Sequence, residues 1–193
     1  MDQDRPRCWW ARDETVGDPL MVAYHDDEWG VAVHDDVALF ERLVLEFFQA
    51  GLSWSTILHR RVAFRDAFGG FVPGRVAAFG DADRARLLAD ARIVRNRAKI
   101  DAAIANAQAT IRIADQRGSF DAYLASMMPG PPRRLPPNAT GRDVPSNTPE
   151  SDRLAADLRA RGFRFVGTTV AYAFLQSVGL VDDHLPQCWR YAG

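Results

Sequence analysis

Residues 161–176, RGFRFVGTTVAYAFLQ, read as a helix end, a tight hairpin and a second helix. Gly162 stops the first helix, and Gly167-Thr168-Thr169 opens the second with backbone N–H groups that have no partner inside the helix. Glycine and small hydroxyl residues at a helix N-terminus make a ready anion site. Just upstream, within 153–164, Arg153, Arg159, Arg161 and Arg164 face Asp157 alone. Such a hairpin suits a nucleic-acid backbone held without regard to base sequence. A buried αα-hairpin with no ligand fits the same pattern.

The flanking chain carries helix signals throughout. Thr148 caps a helix with Pro149 at its first position, ending at Gly162, and a last helix runs from about Thr168 to Val178. Asp36 is read as the cap of a helix reaching roughly Gln49, with Val37, Phe40, Val44 and Phe47 on one stripe and Gly51 as the stop. Ser53 caps the next, with Ile57, Arg61 and Phe64 at helical spacing. Short helices are expected at 73–79 and 83–90, a longer one from Arg97 to about Asp115, and another short one after Ser119. Residues 129–147, PGPPRRLPPNATGRDVPSN, read as a long loop. With no alternating strand and no internal repeat, the class is all-α. The 193 residues form one domain, with 129–147 as a lobe boundary or crossover.

Composition narrows the function. With 47% apolar and 25% charged residues, the chain can bury a sizeable core. No apolar run approaches the ~18 residues of a membrane span. The start, MDQDRPRCWW, lacks the pattern of a secretory leader, and two cysteines suggest a reduced, cytoplasmic setting. A net charge of −1 speaks against a general nucleic-acid binder. The total hides an asymmetry: residues 1–50 hold four basic and twelve acidic side chains, and 51–193 hold twenty and thirteen. Residues 84–99 alone carry Arg84, Arg86, Arg92, Arg95, Arg97 and Lys99 against Asp90. Solvated helix faces are the ordinary reading of such runs.

Two constellations carry chemistry. Both cysteines have a histidine nearby, as Cys8-x16-His25 and His184-x3-Cys188, and the close pair has spacing common in zinc sites. Two free thiols beside unrelated histidines fit the spacing as well. His34 and His59 are expected on surfaces with no pairing signal. The second constellation is Glu46, on the helix 36–49, with Trp54 just past the turn at Gly51-Leu52 and with Trp9, Trp10, Tyr24 and Trp29 crowding the first thirty residues. Rings beside one buried carboxylate suit a flat, cationic or amine-bearing ligand. Taken singly, each tryptophan is equally well a core residue.

With these residues in hand, the chain resembles the 3-methyladenine DNA glycosylase I family, a divergent branch of the helix-hairpin-helix glycosylases. The matching blocks are RCWW (7–10), AYHDDEWG (23–30), LEFFQAGLSW (45–54), RNRAKI (95–100), RGFRFVGTT (161–169) and GLVDDHLPQC (179–188). The resemblance implies one structural zinc ion on Cys8, His25, His184 and Cys188. It implies that Glu46 contacts the excised base, that Trp10, Tyr24 and Trp54 form the aromatic walls, that Gly51 and Leu52 insert into DNA, and that Gly167 and Thr168 hold phosphate. The implied substrate is N3-methyladenine in duplex DNA, with N3-methylguanine as a second candidate, and the enzyme is expected to act as a monomer away from membranes. Because the one lysine, Lys99, lies outside the expected pocket, water rather than an amine is the expected nucleophile. A damage-binding module that has lost the reaction is the first alternative, and an all-α protein whose basic faces bind acidic partners is the second.

Three positions depart from the family pattern. Phe47 follows the glutamate where a small residue is usual, and with Phe48 it either narrows the pocket or packs on the helix's other face. Met21 replaces a base-proximal aromatic. Pro186 stiffens the segment between His184 and Cys188 without removing a ligand.

Overall fold

The computed structural model describes residues 5–11 and 18–191, so the first four residues of MDQDRPRCWW, the stretch read for a leader, lie outside the described residues. After a 3-10 turn at Trp9–Ala11 come α1 (Pro19–Asp27), α2 (Asp36–Gln49), α3 (Trp54–Ala67), α4 (Pro73–Ala77), α5 (Asp81–Ala89), α6 (Arg97–Arg117), α7 (Phe120–Met127), α8 (Pro149–Ala160) and α9 (Thr168–Ser177). The reading as helical holds. Helix α1 was not expected: it is short and acidic and lacks a clear apolar stripe, and it starts because Asp18 accepts from Leu20 N at 3.1 Å and Pro19 stands at the first position.

Helix α2 is the central beam, because its two faces bury in two different cores. Leu39 and Leu43 pack with α6–α9, around Phe120, Leu158 and Phe174. Phe40, Val44, Phe47 and Phe48 pack with α3–α6, around Phe64, Phe68 and Ile104. Apolar residues on both sides hold the helix rigidly and leave few solvent-facing positions along residues 39–48.

Its start differs from expectation by one residue. Asp35 is the cap, accepting from Ala38 N at 2.8 Å, whereas Asp36 reaches across the chain and accepts from Phe120 N and Asp121 N, each at 2.9 Å. Two adjacent aspartates thus cap two helices, a distinction that periodicity cannot make. Asp36→Ala leaves two N–H groups of α7 without their acceptor and is expected to lower stability by about 1–2 kcal/mol in chemical denaturation.

The hairpin is tied down from α6. Gly162 turns at φ +95°, and the buried Asn106 donates to Arg164 O at 3.0 Å and accepts from Arg164 N at 2.7 Å. The long segment 129–147 is not a bare loop. Arg133–Arg134 pairs in parallel with Val181–Asp182, a two-residue ladder too short to show as alternation. Leu135 and Ala139 then pack with Cys8, Leu185 and Cys188, so the loop lies against both ends of the described chain. His34 and His59, expected without partners, each meet a distant aspartate at 3.0 Å: Asp121 and Asp18 respectively.

Candidate active site and metal cluster

A cavity of about 420 Å³ opens where α1, the ends of α2 and α9, the start of α3 and the loop meet. Trp10, Tyr24, Glu46 and Trp54, the residues expected at the pocket, all line it. The Tyr24 and Trp54 rings lie 5.0 Å apart at 47°, forming one wall. Trp10 sits 6.4 Å from Tyr24 and meets Trp29 edge-on at 5.1 Å. Met21 also lines the cavity. Phe47 and Phe48 do not narrow it: both are fully buried on the far side of α2, with Phe48 5.2 Å from Phe47 and 4.9 Å from Phe64.

Glu46 is buried on the rigid helix at the cavity edge. Burial pushes its carboxyl up to about 8, while Arg42 one turn earlier and the Ser177 hydroxyl pull it down. Arg42 stands 5.4 Å from the Tyr24 ring centroid and donates to Glu28 at 2.5 Å. Arg61 also donates to Glu28, at 2.6 Å, and bonds Glu41, which Arg65 reaches at 2.9 Å. This paired network sits behind Tyr24, and its Arg42 supplies positive potential to the Glu46 carboxylate.

Sequence reasoning missed part of the lining. Gln49, Gln176 and Asp183 contribute polar atoms, and Gly141 and Val144 bring the loop to the rim. Asp183 is buried, accepting from the Tyr172 hydroxyl, from Gln176 Nε2 at 2.7 Å and from Arg133 at 3.4 Å. The doubled aspartate in GLVDDHLPQC was the available signal, and the two carboxylates diverge: Asp183 faces the cavity and Asp182 faces His184.

The expected DNA-facing residues lie outside the cavity. Gly51 turns at φ +85° with open space around it, and Leu52 beside it is 40% exposed. Gly167 and Thr168 open α9, roughly 12 Å along the helix from Gln176 at 1.5 Å per residue.

Next to the cavity, Cys8, His25 and Cys188 bring their ligand atoms within 4.8 Å of one another, all buried. His184 falls outside that limit, although its ring lies 5.0 Å from that of His25. Both histidines donate Nδ1–H to a carboxylate, His25 to Asp26 at 2.8 Å and His184 to Asp182 at 2.7 Å. That choice of tautomer leaves each Nε2 as a lone pair. In His25 it faces the Cys188 sulfur at 3.3 Å; in His184 it is buried with no hydrogen-bond partner among the described residues. Between the two thiols, hydrogen bonding holds the proton on Cys8 and draws Cys188 below the usual thiol range. Gly30 permits the packing, since a Cβ there would meet His184 at 2.8 Å.

The sequence model of the methyladenine glycosylase family matches residues 10–191. This chain belongs to that family. DNA-3-methyladenine glycosylase 1 of Escherichia coli (strain K12) is 43% identical over 187 residues, covering 97% of each chain. DNA-3-methyladenine glycosylase of Haemophilus influenzae is 38% identical over 184 residues, 94% of this chain and 96% of that one. A crystal structure of 3-methyladenine DNA glycosylase I superposes with a TM-score of 0.89 at 44% identity, covering 96% of this chain and 100% of the other. The Staphylococcus aureus enzyme, solved for the structural basis of its 3-methyladenine recognition, gives 0.88 at 35% identity over 95% and 98% of the two chains. The methyladenine glycosylase fold therefore extends through nearly the whole chain.

Proposed function

We propose that this methyladenine glycosylase family member removes N3-methyladenine, and N3-methylguanine as a second substrate, from alkylated duplex DNA in base-excision repair. One observation carries the reading: a buried carboxylate, Glu46, set beside the rings of a cavity roomy enough for a base. A flipped base is held by stacking and by hydrogen bonds to its edge. N3-methyladenine is cationic while attached to deoxyribose and leaves readily, so the site has little need of acid catalysis. Tyr24, Trp54 and Trp10 offer π-faces to that cation. Glu46 favours it and the oxocarbenium-like charge that grows as the bond breaks. Gly51-Leu52 is read as the wedge that enters the duplex, and Gly167-Thr168 as the phosphate hold.

Water is the proposed nucleophile. Lys99, the chain's one lysine, is absent from the cavity lining, and its ammonium donates to two backbone carbonyls elsewhere. The cluster fits one structural zinc ion held by Cys8, His25, His184 and Cys188. The orphaned His184 Nε2 and the carboxylates behind both imidazoles support that assignment, because such partners orient metal-bound histidines. When bound, the ion would cross-link the two ends of the fold and take no part in the reaction. A monomer suffices, since one chain supplies every wall of the cavity. The two unlinked thiols accord with a cytoplasmic protein.

Incubation with methylated duplex DNA, followed by chromatography of the released base, tests the proposal. Free 3-methyladenine with no borohydride-stable enzyme–DNA adduct is expected. Binding without release would leave a damage-binding module, and a trapped adduct would replace water with an amine.

A further inference from the structure

Of 24 basic residues in the chain, 23 are arginine and one, Lys99, is lysine. It stands in the first turn of α6, where a cation opposes the helix dipole, and it is only 7% exposed. Neither placement is favourable to α6 itself. The side chain instead crosses to the end of α2, where its ammonium donates to Phe48 O at 2.8 Å and Ala50 O at 2.7 Å. Those carbonyls belong to the last turn of α2, which has no further N–H groups to satisfy them. Burial pushes the Lys99 pKa down, and the negative end of the α2 dipole opposes that push.

The two bonds fix the point where the helix becomes the turn. Ala50 leaves helical geometry at ψ 117°, Gly51 follows at φ +85°, and Leu52 N donates back to Gln49 O at 2.7 Å. From the other side Gln49, which lines the cavity, donates Nε2 to Leu52 O at 3.1 Å. The exposed Leu52 is therefore held by a buried clamp below and a cavity residue beside it. Arg95 and Arg97, both exposed, flank the same corner and give it a positive field suited to phosphate. A point-like ammonium can serve two converging carbonyls in this space; a planar guanidinium directs its donors in a fixed fork.

We infer that Lys99 is a positioning residue: it presents the Gly51-Leu52 turn to duplex DNA at the height needed to fill the space left by the extruded base. The inference rests on the proposed glycosylase reading. It predicts a loss confined to substrates that need the wedge. Lys99→Met should lower kcat/KM on methylated duplex DNA about ten- to a hundredfold. Activity on methylated single strands, and affinity for free 3-methyladenine measured by tryptophan fluorescence, should stay within about twofold of wild type. Combined with Leu52→Ala, the loss on duplex should not grow, because both substitutions remove the same wedge.

A duplex rate within twofold of wild type, a matching loss of free-base affinity, or additivity with Leu52→Ala would each overturn the assignment. Should Lys99→Met not fold, Lys99→Arg reads the same split: duplex-specific loss supports the role, and full duplex activity refutes it. Wild-type protein that releases no base from any methylated DNA would instead refute the glycosylase reading itself.

Discussion

Glu46→Gln is expected to fold normally, bind metal as the wild type does, and lose base release by about two to three orders of magnitude. The amide fills the same space and keeps hydrogen-bonding capacity, so the loss measures the carboxylate charge. That charge has an unusual setting: it is buried, with an arginine one turn away and aromatic faces opposite. Such surroundings strengthen its effect on a cationic base while making it costly to maintain in the free protein. The rate should consequently rise with pH as the carboxyl ionises toward about 8, and the glutamine variant should lack that rise.

The same group makes a second, opposite prediction for stability. Below about 4.5 the carboxyl carries its proton in both folded and unfolded chains, and Glu46 is neutral to folding. Between 4.5 and about 8 the unfolded chain releases the proton and the folded chain retains it, so stability declines as pH rises. Glu46→Gln should thus raise the melting temperature at pH 8 and leave it nearly unchanged at pH 4. A variant that is less stable at both would show that the carboxylate holds the fold together and was misassigned to the cavity's chemistry.

Removal of the proposed zinc ion should have the other large effect. The wild type is expected to carry about one zinc per chain by elemental analysis, and Cys188→Ser to carry none. Without the ion, two thiols, two imidazoles and the carboxylates behind them remain packed together with no common charge to organise around. The loss should exceed that of a single hydrogen bond, in the range of about 3–5 kcal/mol for removing one partner of a buried charged set. Activity should fall with it, because the cluster adjoins the cavity: Cys8, Trp29 and Leu185 line it, and Trp29 packs 4.6 Å from His184. Chelation should give the same result as the substitution. A metal-free wild-type protein with undiminished stability would sink the assignment.

These expectations come from residues whose types carried their own signal. Glu46 on an apolar stripe, tryptophans grouped around it and every cysteine matched to a histidine were readable because each is rare in that context. Helices with caps and stops were readable too, down to Ser53, Thr148 and Gly162. What could not be read depends on which distant residue arrives. Asp36 looked like a cap for its own helix and caps another; His59 looked solitary and meets Asp18. Asp183, Gln49 and Gln176 are ordinary polar residues until the fold turns them toward one cavity. Phe47 and Phe48 looked able to crowd the pocket because a sequence gives spacing and not the direction in which a central helix faces. The loop 129–147 looked empty because prolines and glycines hide a two-residue ladder and the apolar contacts of Leu135 and Ala139.

The contact between Leu185 N and the Cys8 sulfur joins positions 177 residues apart. Closing so long a span costs more chain entropy than any helix pairing within it, so it belongs among the last events of folding. The helical body around α2 can therefore assemble while the tryptophan wall is still missing. During synthesis, the turn at Gly51-Leu52 would emerge early, whereas the hairpin at 161–176 and the base-binding chamber wait for the segment that carries Leu185. The base-binding chamber is in that sense completed by the meeting of the Cys8 and Leu185 segments.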